Sequence, residues 1–275
     1  MDLSAYFERI GFVGPAHADL ATLRAVHRAH ALAVPFENFD VQFGRPPSRS
    51  IGAIVEKLVT RRRGGWCYEN NGLLASALDA IGFRVRRLAA GVARASMGDG
   101  AVGNHLTLLV DLGGEVFLCD AGFGNGLIEP VPLQDGRFKV GPFDCRIDSL
   151  GGGWRRFTNG DGPSESFDFS PYVSDDALLE ERCAFLARDP SSPFVQNAVV
   201  QRWREDAHLS LRGRRFVRHA ADGVSSRLID DAADYGETLR REFALDLPEA
   251  GGLWDRIVTR DVQRFGVSAA DSERG

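Results

Sequence analysis

Arg63-Gly64-Gly65-Trp66-Cys67-Tyr68-Glu69-Asn70-Asn71 runs directly into a segment in which Leu73, Leu74, Ala77, Leu78 and Ile81 recur at helical spacing. Two glycines, a cysteine and then a helix start place the Cys67 sulfur at the N-terminal end of a helix dipole. The partial positive charge there stabilises an anion. The glycines allow positive φ and let a substrate approach the main chain closely. A cysteine so placed reads as a nucleophile, provided the chain supplies a base.

A base is available further on. Asn104-His105 opens Leu106-Thr107-Leu108-Leu109-Val110, which reads as a buried strand. Asp111-Leu112-Gly113-Gly114 makes a hairpin turn, and Val116-Phe117-Leu118-Cys119-Asp120 is the return strand. His105 and Asp120 then share the sheet edge away from the turn, where their side chains can meet. Cys, His and Asp are a thiol nucleophile, its base and the group that orients the base. On spacing alone, a structural cysteine explains the first stretch as well as a nucleophile does. Asp120 also reads as a cap for the loop Gly122-Phe123-Gly124.

Taken together, Arg63-Gly64-Gly65-x-Cys67-x-Glu69-x-Asn71, His105-Leu106 and Asp120-x-Gly122-Phe123-Gly124 resemble the signatures of the arylamine N-acetyltransferases. Val34-Pro35-Phe36-Glu37-Asn38 and Ser192-Pro193-Phe194-Val195-Gln196-Asn197 are similar to further motifs of that family. The resemblance covers nearly the whole chain in the family's order. Phe39 and Ala121 depart from it, standing where Leu and Val are expected.

The resemblance implies an α+β fold around a cysteine-protease-like Cys-His-Asp core. An N-terminal helical bundle (1–83) would carry Cys67. A central antiparallel β-barrel (84–190) would carry His105 and Asp120 and end in a linking helix, and a C-terminal α/β lid (191–275) would follow. It further implies a two-step transfer: Cys67 takes the acetyl group of acetyl-CoA, and an arylamine, hydrazine or arylhydroxylamine removes it with His105 as base. Phe36, Phe123, Gly124 and Phe194 are expected at the acceptor, with Phe216 a further candidate, and Gly103, Asn104 and Gly126 at CoA. The run Asp99 to Gly103 reads as an ordinary turn as readily as a rest for pantetheine and pyrophosphate. No metal is expected. The alternatives are an amide synthase acting on a carrier-bound polyketide chain, a thiol hydrolase or transglutaminase-like enzyme, and a non-catalytic binding protein.

With 275 residues, 44% of them hydrophobic and 26% charged, the chain can bury a large core and has the balance of a globular protein. Its net charge of −5 argues against nucleic acid as a main partner. Met1-Asp2-Leu3 offers neither a basic nor an apolar leader region, and no apolar run approaches the ~20 residues of a membrane span. A cytoplasmic location is expected. Cys67, Cys119, Cys145 and Cys183 are widely spaced, which favours free thiols over disulfides or zinc. His17, His27 and His30 lack companions at ligand spacing and read as surface or internally satisfied imidazoles.

Up to Gly82 the chain reads as helices. One spans Leu3 to Ile10, and one is capped by Asp19 and stops before Pro35. A third, capped by Ser50, runs to about Arg61, and the Cys67 helix is the fourth. Arg63 is expected to brace the loop through Glu37 or Glu69, with Arg61 and Arg62 solvated. After Arg84 the period becomes that of strands, over Val85 to Val92, Leu106 to Val110 and Val116 to Cys119, then around Phe138, Trp154 and Phe167. Gly122 to Gly126 follows a strand without opening a helix, so it reads as a mobile loop and not a dinucleotide site. Ser174-Asp175-Asp176 caps a helix through Ala187. Beyond Pro193, strands are expected over Val195 to Trp203, His208 to Leu211, Arg214 to Arg218 and Ser226 to Ile229. Helices are expected over Ala232 to Phe243 and Leu253 to Phe265, and the last ten residues read as a frayed end.

Overall fold

Side-chain caps set the starts of the first two helices and of three later ones. Asp2 accepts from the Ser4 N–H ahead of α1 (Leu3–Ile10), and Asp19 accepts from the Thr22 N–H ahead of α2 (Leu20–Ala33). Val34 is extended, as the following proline requires. A short strand, β1 (Phe36–Glu37), and one helical turn, α3 (Phe39–Gln42), come next. α4 (Ile51–Val55) begins after Ser50, whose side chain makes no capping bond, and it widens into a π turn over Glu56–Thr60 instead of continuing as α-helix. α5 (Cys67–Ile81) ends at Gly82 in a left-handed conformation. The computed structural model describes residues 1–45, 47–160 and 166–265, so the segment expected to fray lies outside the described residues.

β2 (Arg84–Val92) leads through the short helix α6 (Arg94–Met97) to β3 (His105–Leu112), which pairs with β4 (Glu115–Cys119). Leu112 faces Glu115, so the turn is Gly113-Gly114 alone, at φ 62° and 88°. Two successive positive φ values make the mirror-image turn that matches strand twist, and glycine adopts it without strain. There follow β5 (Val131–Pro132), β6 (Gly136–Val140), β7 (Phe143–Gly151), β8 (Trp154–Asn159) and β9 (Ser166–Phe169). All eight strands form one antiparallel sheet, ordered β5-β4-β3-β2-β9-β8-β7-β6. β2 joins its halves, pairing with β3 through Ala90 and with β9 at Gly91 and Val92. Among the described residues the edge strands β5 and β6 do not pair with each other. The expected barrel is therefore a curled, open sheet, filled by Leu88, Leu109, Phe143, Phe157 and Phe167.

α7 (Asp176–Arg188), capped by Asp175, leads to the second sheet. The strand expected from Val195 begins later. Ser192 Oγ accepts from the Phe194 N–H and Pro193 takes the first helical position, which makes a helical turn, α8 (Pro193–Gln196). β10 (Val199–Trp203), β11 (Ala207–Arg212), β12 (Arg215–Ala220) and β13 (Gly223–Leu228) then form an antiparallel sheet whose far edge is β1. α9 (Ala232–Phe243) and α10 (Trp254–Phe265) cover it, with Tyr235, Leu239, Phe243 and Ile257 packed in one cluster with Leu209 and Leu211. No helix of the described residues is long and apolar enough to cross a membrane.

The C-terminal sheet thus takes its edge strand from the N-terminal part of the chain. Phe36 faces Gln201 across that pairing and bridges to Gly65 on its other side. Asn38 fastens the junction: Nδ2 donates to the carbonyls of Phe194 and Asn197, each at 2.8 Å, and Oδ1 accepts the Val199 N–H at 2.8 Å. Leaving a buried polar group without a partner costs about 1–3 kcal/mol. Asn38→Ala orphans several at once, so a loss of roughly 3 kcal/mol is expected in urea unfolding. A variant within about 0.5 kcal/mol of wild type would contradict this account of the junction.

Candidate active site

The approach to Cys67 is a matter of close packing. A Cβ at Gly64 would collide with the Pro35 carbonyl oxygen, and one at Gly65 would lie 2.8 Å from Glu69 Cβ. Neither glycine has positive φ. They admit the chain's own neighbours, a different use from the one expected. Cys67 is the first residue of α5, and the Glu69 carboxylate reaches back to accept the Trp66 N–H at 3.2 Å.

A buried charge cluster lies behind this turn. Lys57 Nζ donates to both Glu69 oxygens at 2.9 Å and lies 2.8 Å from Asp40, while Arg63 donates to Glu37 at 2.6 Å and Asp40 at 3.2 Å. Arg63 braces the loop through Glu37, as expected, and Arg61 and Arg62 are exposed. The partner of Glu69 is Lys57, which the sequence reading passed over. Burial, opposed by Lys57 and reinforced by Glu37, pushes Glu69 up to about 7. For Lys57, burial favours the neutral amine, but the charges of Glu37, Glu69 and Asp40 prevail and raise its pKa.

His105 opens β3 and Asp120 directly follows β4, so the hairpin register sets both at one edge of the sheet. His105 Nε2 lies 2.7 Å from Asp120 Oδ2, with the side chains 2% and 0% exposed. Asp120 Oδ1 accepts from Asn71 Nδ2 at 3.0 Å and from the Gly122 N–H at 2.9 Å. One carboxylate oxygen thus meets His105, and the other accepts from the glycine loop. Asn71 also donates to the Leu106 carbonyl at 2.6 Å and accepts the Ala121 N–H at 2.9 Å. One amide thereby locks the Cys67 helix to the strand ends that carry His105 and Asp120. Its position one turn after Cys67 on the same helix face was the signal available for this role.

Burial alone would lower the His105 pKa, but the Asp120 charge and hydrogen bond, followed by the hydrogen bond that the ring donates to the Cys67 sulfur, push it up to about 10. Burial alone would raise Asp120, yet the His105 charge and hydrogen bond, with that of Asn71, hold it below the ordinary carboxylate range. An imidazole that keeps its proton beside a cysteine can hand that proton to a leaving group.

Cys67 and His105 line a cavity of about 450 Å³, a size suited to a small organic molecule. Phe36, Phe123 and Phe194 line it too, together with Asn104 and Gly122. The Phe123 ring meets the His105 ring edge-on at 5.5 Å. Three expected glycines do not line this cavity. Gly124 lies against the Gln201 amide and Gly126 against Phe123 Cβ, while Gly103 is packed beneath Leu178 and Arg182 with its carbonyl taken by the Tyr68 hydroxyl. The Asn104 amide is bonded both ways to the Val92 main chain. The loop expected to be mobile is packed inward, with Phe123 and Asn125 buried. Phe216 stacks edge-on against Phe243 in the C-terminal layer instead. Met97 and Phe185, 61% and 44% exposed, form part of the cavity lining and were missed, because isolated exposed apolar residues leave no periodic signal. Among the described residues no three His, Cys, Asp or Glu side chains converge as a metal site.

A family model described as N-acetyltransferase matches residues 19–251. The chain is 32% identical to the arylamine N-acetyltransferase of Mycolicibacterium smegmatis over 96% of each chain, and 30% identical to that of Escherichia coli over 90% of each. Its fold is similar to that of Mycobacterium marinum arylamine N-acetyltransferase in complex with CoA, with a TM-score of 0.83 and 32% identity. That likeness covers 94% of this chain and 98% of the other.

The His105–Asp120 pair makes stability depend on pH with a definite sign. Asp120 is depressed on folding, so its contribution is present above ~3.9 and lost as pH falls. His105 is raised, so its contribution is complete below ~6.5 and lost as pH rises through about 10. The stability difference between wild type and Asp120→Asn, measured by urea unfolding, should be largest between about pH 4 and 6.5 and shrink towards about pH 10. A difference constant over that range would refute the assignment of charges.

Proposed function

The chain belongs to the arylamine N-acetyltransferase family, and from that premise we propose that it transfers the acetyl group of acetyl-CoA to the nitrogen of arylamines or arylhydrazines through an acetyl-cysteine at Cys67. The observation that carries this reading is Cys67 and His105 at the wall of an aromatic-lined cavity, with Asp120 bonded to His105 behind it. A relative whose structure holds CoA supports CoA as the carrier of the donor group.

In this mechanism Cys67 is a thiolate facing a protonated His105. The sulfur attacks the acetyl carbonyl, and main-chain N–H groups, that of Cys67 among them, stabilise the oxyanion. The carbon–sulfur bond to CoA breaks, and His105 gives its proton to the departing sulfur. The amine then attacks the Cys67 thioester while His105 removes a proton from its nitrogen. Cys67 leaves as thiolate, and the starting charges are restored. Asp120 remains ionised throughout and keeps the ring of His105 in one orientation. Phe36, Phe123 and Phe194 offer flat apolar walls to an aryl ring.

The three-part organisation belongs to the same reading, with residues 1–83 supplying the nucleophile and 84–190 the base and its partner. Residues from 191 onward act as a lid that keeps water from the thioester. Its support is α8, which brings Phe194 to the cavity wall.

Incubation with acetyl-CoA and no amine should add one acetyl group, located on Cys67 by peptide mass spectrometry, and an arylamine should then remove it. Acetyl found on Cys119, Cys145 or Cys183, or none without amine present, would overturn the mechanism.

A further inference from the structure

Asp120 is held from a side that the proposed mechanism does not use. His27, buried on α2 and 93 residues away in sequence, accepts the Asp120 N–H at its Nε2, at 3.0 Å. Its other nitrogen, Nδ1, lies 2.9 Å from the Ile128 carbonyl oxygen. A main-chain N–H can only donate and a carbonyl can only accept, so Nε2 is bare and Nδ1 carries the proton. Both partners are satisfied by one neutral tautomer and by no other form of the ring. Burial acts in the same direction, lowering the His27 pKa.

The two groups that His27 grips bracket a loop. Between Asp120 and Ile128 the chain brings Gly122 and Phe123 to the cavity, and the Gly122 N–H returns to Asp120 Oδ1. Asp120 is itself fully buried, so no water can replace the acceptor that His27 provides. Without that acceptor its peptide plane would rotate in search of another. The carboxylate on the same residue would turn with it, away from a 2.7 Å bond to His105 that tolerates little misalignment.

We propose that His27 is a positioning residue for acetyl transfer, fixing the Asp120 peptide from behind so that the carboxylate stays in line with His105. The inference rests on the Cys67–His105–Asp120 reading. Its effect runs through the Asp120 N–H, with the bond to Ile128 serving to select the tautomer.

Three substitutions separate this role from simple packing. Glutamine places its amide near the position of Nε2 and can still accept from Asp120, whereas asparagine reaches only the position of Nδ1, and leucine offers neither. The readout is CoA release in the first half-reaction at saturating acetyl-CoA, alongside KM for acetyl-CoA and thermal unfolding. His27→Gln should stay within about threefold of wild type, while His27→Asn and His27→Leu fall by about 10- to 100-fold in rate with KM unchanged. Asparagine equal to or faster than glutamine, or all three variants at the wild-type rate, would overturn the proposal. Nitrogen-15 NMR of the unsubstituted protein gives an independent test that no folding defect can obscure. A proton on Nδ1 with Nε2 bare is expected, and a proton on Nε2 would overturn it. A wild-type chain that acquires no acetyl on Cys67 would instead remove the underlying transfer reading, and this positioning role with it.

Discussion

The bond between His105 and Asp120 is the constraint to which the surrounding structure answers. Two groups that carry charge meet where almost no water reaches them, and each pays several kcal/mol in lost hydration. Such a pair persists only where the remaining hydrogen-bonding capacity is also met. Asn71 and the Gly122 N–H take the second carboxylate oxygen, and His27 takes the Asp120 N–H. The partners come from α5, from the loop after β4 and from α2, so the pair is assembled by helices and sheet together.

A second buried charge cluster does the equivalent work for Cys67. Lys57 and Arg63 face Glu37, Asp40 and Glu69, and Glu69 in turn closes the first turn of α5. Removing one member would leave an opposite charge buried and uncompensated, at about 3–5 kcal/mol. The cluster also explains the tight glycines, because the chain carrying Glu37 and the turn carrying Glu69 press against Gly64 and Gly65. The position of Cys67 thus depends on residues that do not line the cavity.

The sequence was legible where the determining forces are local. The start of α5, the existence of a hairpin turn ending at Gly113-Gly114 and the placement of His105 and Asp120 on one edge all follow from short-range spacing. β1 was not legible. A two-residue strand has no period, and it forms only because Phe36 and Glu37 find Gln201 and Val200 far along the chain. The roles of Lys57 and His27 were hidden for the same reason, since each makes its bonds to a distant element. Gly103, Gly124 and Gly126 do not line the cavity, and each lies close against side chains of the protein itself. The family resemblance supplied the expectation of a mixed helix-and-sheet fold, and the comparisons establish the family.

The central claim is that Asp120, acting through His105, governs the state of Cys67. The most direct measurement is the rate of Cys67 alkylation by iodoacetamide across pH, in wild type and in Asp120→Asn with the fold verified by circular dichroism. The account predicts that the two profiles differ, with the variant alkylated more slowly than wild type near neutral pH. Superimposable profiles from two folded proteins would contradict it and leave Asp120 as a cap for the glycine loop.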